Sequence, residues 1–172
     1  MRRHAILALA LALALATVPP SARAATPHAE RSDQVLSPAG VTALDLDNAR
    51  GLVKVRPSTD GKLHVTAIKI CRLQRAEDAR RYLRETTVES RAEQGRWIVR
   101  VTYPRRIDSR IDFWQIFREH SGGLEFPVLE VQLLVEAPAG WNTRAESVSG
   151  DLDVALMRGK IELRSSSGDI AL

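Results

Sequence analysis

The chain has 172 residues, with 25 Lys or Arg against 21 Asp or Glu and a formal net charge of +4. Arg2, Arg3 and Arg23 are three of those 25 bases and lie in a stretch of 24 residues without an acid, so the rest of the chain carries 22 bases against 21 acids. That near-balance argues against nucleic acid as a partner, which would need a concentrated basic face. A single cysteine, Cys71, excludes an internal disulfide.

Residues 1–24 have the three-part layout of a secretory signal peptide: a basic start, an apolar Ala/Leu run over 5–18, and small residues at Ala22 and Ala24 before the expected cleavage. The run is about 14 residues, short of the roughly 20 that a spanning helix needs. The expected product is an exported, periplasmic or extracellular protein with no integral membrane span after cleavage. Residues 25–40 are polar, contain Pro27 and Pro38 and show no periodicity, so they read as a flexible leader to a single β-repeat domain over 41–172.

From Val41 the texture becomes β. Leu44-Asp45-Leu46, Leu52-Val53-Lys54-Val55-Arg56 and the stretch 63–70 alternate apolar and polar side chains between Gly, Pro and Asp turns, which marks half-buried strands. Residues 74–84 are rich in Ala, Arg, Glu and Leu and place Ala76, Ala79, Tyr82 and Leu83 on one face, which predicts one amphipathic helix. Strands return at 87–90, 96–103 and 128–135.

Residues 104–127 interrupt the pattern as an irregular aromatic insertion. Phe113, Trp114 and Phe117 fall within five residues there, either as an aromatic interaction patch or as a lid over one end of the β core.

Over 146–172 the glycines Gly150, Gly159 and Gly168 recur every nine residues, each followed by an alternating strand, with Asp151 and Asp169 beside two of them. Such short strands bury a face only by stacking, so Leu152, Val154, Ile161, Leu163, Ile170 and Leu172 are expected to line one continuous core. Gly supplies the tight corners and Asp hydrogen-bonds the turn backbone. The spacing predicts a mainly β fold, a β-solenoid-like stack of short strands or a closely wound sheet sandwich with two opposed faces, carrying one amphipathic helix. Calcium-binding solenoids need Gly-Gly-x-Gly-x-Asp turns. Here each turn has one glycine and Lys160 replaces an aspartate, so neither a metal nor another cofactor is expected.

The run 146–170, with Ser-Gly-Asp at 149–151 and 167–169, resembles the bacterial adhesin-type β-repeat family, also called toastrack domains. Residues 44–55, the helix and residues 135–140 fit its layout. The resemblance implies an extracytoplasmic, right-handed β-solenoid-like domain without accepted catalytic residues, acting as an adhesin or as a cell-envelope interaction or stress-sensing module. The implied partner is an envelope protein or a glycan. Two alternatives stand beside it. One is a carbohydrate-active β-helix enzyme using Asp151, Asp153 and Asp169, which needs paired carboxylates about 5–10 Å apart. The other is a structural envelope protein that self-associates through its C-terminal strand, whose unpaired edge is a template for another chain.

Overall fold

The computed structural model describes residues 27–38, 40–104 and 128–172. These residues are mainly β with one short helix. In chain order they form β1 (His28–Leu36), β2 (Ala43–Asp47), β3 (Val53–Pro57), β4 (Leu63–Cys71), α1 (Ala76–Glu85), β5 (Thr87–Glu93), β6 (Arg96–Thr102), β7 (Leu129–Ala137), β8 (Asn142–Ser149), β9 (Leu152–Val154), β10 (Ile161–Ser167) and β11 (Ile170–Ala171). A six-stranded sheet runs β1-β4-β7-β3-β9-β11, and a five-stranded sheet runs β10-β8-β2-β6-β5.

Three copies of one unit bind the sheets together. Each begins as a strand of the smaller sheet, turns a corner and ends as a strand of the larger one: β2–β3, β8–β9 and β10–β11. They stack in parallel and in register. Leu44 lies opposite Thr143, and Thr143 opposite Ile161. Past the corner Val53 lies opposite Leu152, and Leu152 opposite Ile170. Because β2 also pairs with β6, and β3 with β7, the first unit in sequence is an inner layer in space. It is held between β6/β7 on one side and β8/β9 on the other. In sequence, residues 104–127 fall between β6 and β7, the two strands of the layer beside β2–β3.

The register redefines the nine-residue repeat. The last two units, consecutive in sequence, stack at a separation of 18 residues, as where the Asp169 N–H donates to Asp151 Oδ1. Nine residues are therefore half a coil, and successive repeats of the sequence pattern belong to opposite sheets. Gly150 and Gly168 share a corner with Gly51, whereas Gly159 lies at the other corner against the backbone of Trp141.

The Gly51 corner sets how closely the layers approach. A Cβ on Gly51 would overlap the carbonyl of Val131, one on Gly150 that of Gly51, and one on Gly168 that of Gly150. Each missing side chain admits the backbone of the neighbouring layer. Gly51 also has φ +96°, a conformation costly for any L side chain. Beside this corner the fully buried Asn48 donates from Nδ2 to the Val131 carbonyl at 2.7 Å. Its Oδ1 accepts the Tyr103 hydroxyl at 2.8 Å, which ties β2, β6 and β7 together. Burial pushes the Tyr103 phenol well above its ordinary pKa.

Alternation buries one row of each inner strand. Leu44, Leu46, Val99 and Ala145 from the smaller sheet meet Val53, Val55, Val65, Leu133, Leu152 and Val154 from the larger. The expected core thins along the repeat. Leu152 and Val154 are fully buried and Ile161 and Leu163 pack partly against the core, but Ile170 is 50% and Leu172 80% exposed. Among the described residues no further unit covers that last layer.

Beyond the sandwich α1 takes over, packing Ala79, Tyr82 and Leu83 on Cys71 and Leu129. Lys69 Nζ, from β4, donates to the Leu83 carbonyl at 3.0 Å, and a cation placed against the last turn suits the helix dipole. Three of the four expected face residues are thus buried.

Residues 28–36, expected as part of a flexible leader, instead form β1, paired with β4 along its whole length from His28↔Cys71 to Leu36↔Leu63. Most of its side chains are exposed or half-exposed on an edge strand, so backbone pairing holds it and no alternation marks it in sequence. Residues 1–24, expected as a signal peptide, and the insertion lie outside the described residues, except for Pro104.

The corner predicts unequal glycines. Gly150→Ala should cost about 1–3 kcal/mol, because the new methyl meets backbone. Gly140→Ala, with open space at its Cβ, should stay within about 0.5 kcal/mol of the parent. Urea unfolding midpoints measure both, and equal losses would contradict the close-approach account.

Candidate interaction surface

The outward row of the five-stranded sheet is mostly ionic. Parallel registry turns this into ladders, because residues at equal positions in stacked units stand side by side. One ladder runs Glu89–Arg100–Asp47–Glu146–Arg164, one residue per strand across β5, β6, β2, β8 and β10. The next runs Arg91–Ile98–Asp45–Arg144–Glu162. Within the repeated unit, the ladder residues of β2, β8 and β10 stand four and six residues before the corner glycine.

These charges pair mainly with one another. Arg100 Nε donates to Asp47 Oδ2 at 3.1 Å and Arg96 to Asp45 Oδ2 at 2.8 Å. Glu146 Oε1 accepts from Arg144, and Arg164 lies 3.4 Å from the same oxygen. Arg164 also reaches Glu162 at 2.7 Å. The Arg144 guanidinium is the main reason the Glu146 carboxyl is held below the ordinary glutamate range.

Asp47 and Glu146 face each other across β2 and β8 as neighbouring carboxylates. Two shallow depressions meet at that pair. The first, of about 230 Å³, is lined by Asp45, Asp47, Ile98, Arg100, Arg144 and Glu146 among others. The second, of about 300 Å³, adds Val148, Arg164, Ser165 and Ser166.

The residues singled out from sequence separate into groups. Gly150, Asp151, Gly168 and Asp169 come together at one corner, where both aspartates are exposed. Gly159 does not join them. Asp153 is on the outer face of the other sheet, bonded to Arg56 at 2.6 Å and 3.7 Å from Lys54. The Arg56 hydrogen bond is the largest cause holding its carboxyl below the ordinary aspartate range. Phe113, Trp114 and Phe117 lie outside the described residues. Among the described residues no group of three or more His, Cys, Asp or Glu is arranged to hold a metal ion, and no helix is long and apolar enough to cross a membrane.

Sequence reading passed over Asp45, Asp47, Arg100, Arg144, Glu146 and Arg164. A signal for part of the set was present: charges at fixed offsets before Gly51, Gly150 and Gly168. Arg100 had no such signal, because the residue four positions after it is Pro104 and not glycine.

The fold and surface define a class: a two-sheet stack of parallel corner units with an open ionic face. No family model and no curated protein matches the sequence. Among solved structures the chain is similar to a candidate cell adhesion protein from Clostridium sporogenes, with 10% identity, 80% of this chain covered and a TM-score of 0.47. It is similar to a candidate adhesin from Bacteroides fragilis at 10% identity, 84% coverage and 0.39. A candidate adhesin from Parabacteroides merdae gives 9%, 82% and 0.35. The chain spans 57%, 62% and 56% of these proteins' own lengths.

The ion pairing has a definite pH consequence. A carboxyl whose folded pKa is depressed contributes stability above its unfolded pKa and loses it as pH falls through the folded value. In an NMR titration Glu146 should therefore protonate below an ordinary glutamate and move back up in Arg144→Gln. An unchanged Glu146 titration in that variant would disprove the assignment of cause.

Proposed function

We propose that the chain is a non-catalytic, exported interaction module of the cell envelope, of adhesin or stress-sensing type, whose contact face is the outer face of the five-stranded sheet. Localisation in the periplasm or outside the cell belongs to this reading and rests on the signal-peptide layout of residues 1–24. A right-handed winding of the coils belongs to it as well. The observation that carries the contact face is the ionic ladder. It places one long polar side chain on each of five adjacent strands, on a surface that no described element covers.

The enzymatic alternative has less support. Asp153 points outward from the other sheet in an ion pair, while Asp151 and Asp169 serve the corner, where the Asp151 carboxylate accepts the Asp169 N–H.

Retention of envelope components on immobilised mature protein tests the proposal. Reversing charge with Asp47→Arg and Glu146→Arg should abolish retention, and Lys54→Glu on the opposite sheet should preserve it. Retention indifferent to both changes would refute this contact face.

One observation favours self-association through the C-terminal strand in addition: Ile170 and Leu172 expose 50% and 80% of their surface beside the unit edge. Sedimentation velocity of the mature chain should show a concentration-dependent dimer that Ile170→Asp removes. A strict monomer at high concentration would end that reading.

A further inference from the structure

We infer that the ladder face takes a linear, uncharged, hydroxyl-rich glycan, laid across the strands with one sugar residue to each strand. This rests on the five-stranded sheet being the contact face and adds what the face contacts.

Spacing is the first argument. Neighbouring strands lie about 4.7–4.9 Å apart, so the row Glu89–Arg100–Asp47–Glu146–Arg164 presents a polar group at that interval over roughly 19 Å. The interval is close to the length of one pyranose ring in an extended polysaccharide. An extended peptide does not match it, since side chains on one face of a strand recur at about 6.6–6.8 Å. A polymer of sugars can therefore set one residue against the polar side chain of each successive strand, where a peptide drifts out of step.

Charge is the second. The two ladders hold Glu89, Asp47, Glu146, Asp45 and Glu162 against Arg100, Arg164, Arg91 and Arg144, which leaves them close to neutral. Neither a polyanion nor a polycation gains much from such a face.

Hydrogen-bonding capacity is the third. Asp47 engages Arg100 through Oδ2, Asp45 engages Arg96 through Oδ2, and Glu146 engages its arginines through Oε1. Among the described residues Asp47 Oδ1, Asp45 Oδ1 and Glu146 Oε2 have no such partner. Each is a charged acceptor held in place by its paired oxygen, ready for a hydroxyl donor. Ile98 and the 60% exposed Val148 line the two depressions and offer apolar patches to the C–H faces of a ring.

The sheet twists by roughly 20–25° per strand. A single solvated chain can follow that twist, while a flat crystalline polymer face cannot, so soluble oligomers are the appropriate probe.

Calorimetric titration of the mature chain with cello-, chito-, xylo- and manno-oligosaccharides of two to six residues tests the inference. For at least one series, affinity should rise with each added sugar up to about five, one per strand of the sheet, and then level off. It should change little between low and high salt, because no counterions are released.

The double variant Asp47→Asn, Glu146→Gln should bind about tenfold or more weakly, as expected for lost hydrogen bonds to charged groups. Asp153→Asn on the other sheet should bind as the parent does. The length dependence needs only the parent protein, so the test holds even if the double variant fails to fold by circular dichroism. Binding to none of the four series overturns the inference, as does binding to heparin alone with a steep salt dependence. An envelope protein retained through Asp47 and Glu146 while every oligosaccharide fails would sink the glycan and leave the contact face standing.

Discussion

The close approach of backbones at the Gly51 corner is the constraint on which the stack depends. Parallel layers can stay one strand-spacing apart through a corner only if the turning residue leaves room for its neighbour's carbonyl. Gly51, Gly150 and Gly168 each do so, and each faces the backbone of the layer before it. A side chain at any one of them would force two layers apart at that point. The loss would spread, because the ladder hydrogen bonds on both sides of the corner share the same register: Gly51 N–H to Ser149 and Val53 N–H to Asp151, then Gly150 N–H to Ser167 and Leu152 N–H to Asp169.

The ionic face follows from that constraint. Register fixed at the corner means that residues a set distance before the glycine align on adjacent strands, so Asp47, Glu146 and Arg164 become neighbours although 99 and 18 residues separate them in sequence. Like charges directly opposite one another are unfavourable in a sheet. The pairing of Asp47 with Glu146 is offset by the guanidiniums of Arg100, Arg144 and Arg164 around it. The same geometry that builds the core thus orders the surface.

The chain order of the layers adds cooperativity. β2–β3 is made early but lies between β6/β7 and β8/β9, which come later in sequence. Its apolar row of Leu44, Leu46, Val53 and Val55 is covered on both flanks only when residues up to Val154 have joined. Most of the apolar burial is therefore long-range, which favours a single folding unit over layer-by-layer assembly and slows its formation.

Much of this was legible in sequence, and what was missed has physical causes. Alternation revealed the strands with one buried face, and the 3.6-residue period revealed α1. β1 escaped because an edge strand with few buried side chains leaves no alternating pattern, only the backbone pairing to β4. The glycine interval of nine was legible, but not that successive repeats fall in opposite sheets. A strand–corner–strand unit alternates sheets, so consecutive units repeat at 18 residues, and of the three glycines only Gly150 and Gly168 share the Gly51 corner. The site was hidden for the same reason. Asp45 and Arg144 look like solvated strand residues when read along the chain, and they become a ladder only once the register between units is known. Local sequence reports which side of a strand a residue faces. Which residues stand beside it is decided at the corner, by a glycine whose meaning lies in a carbonyl from another layer.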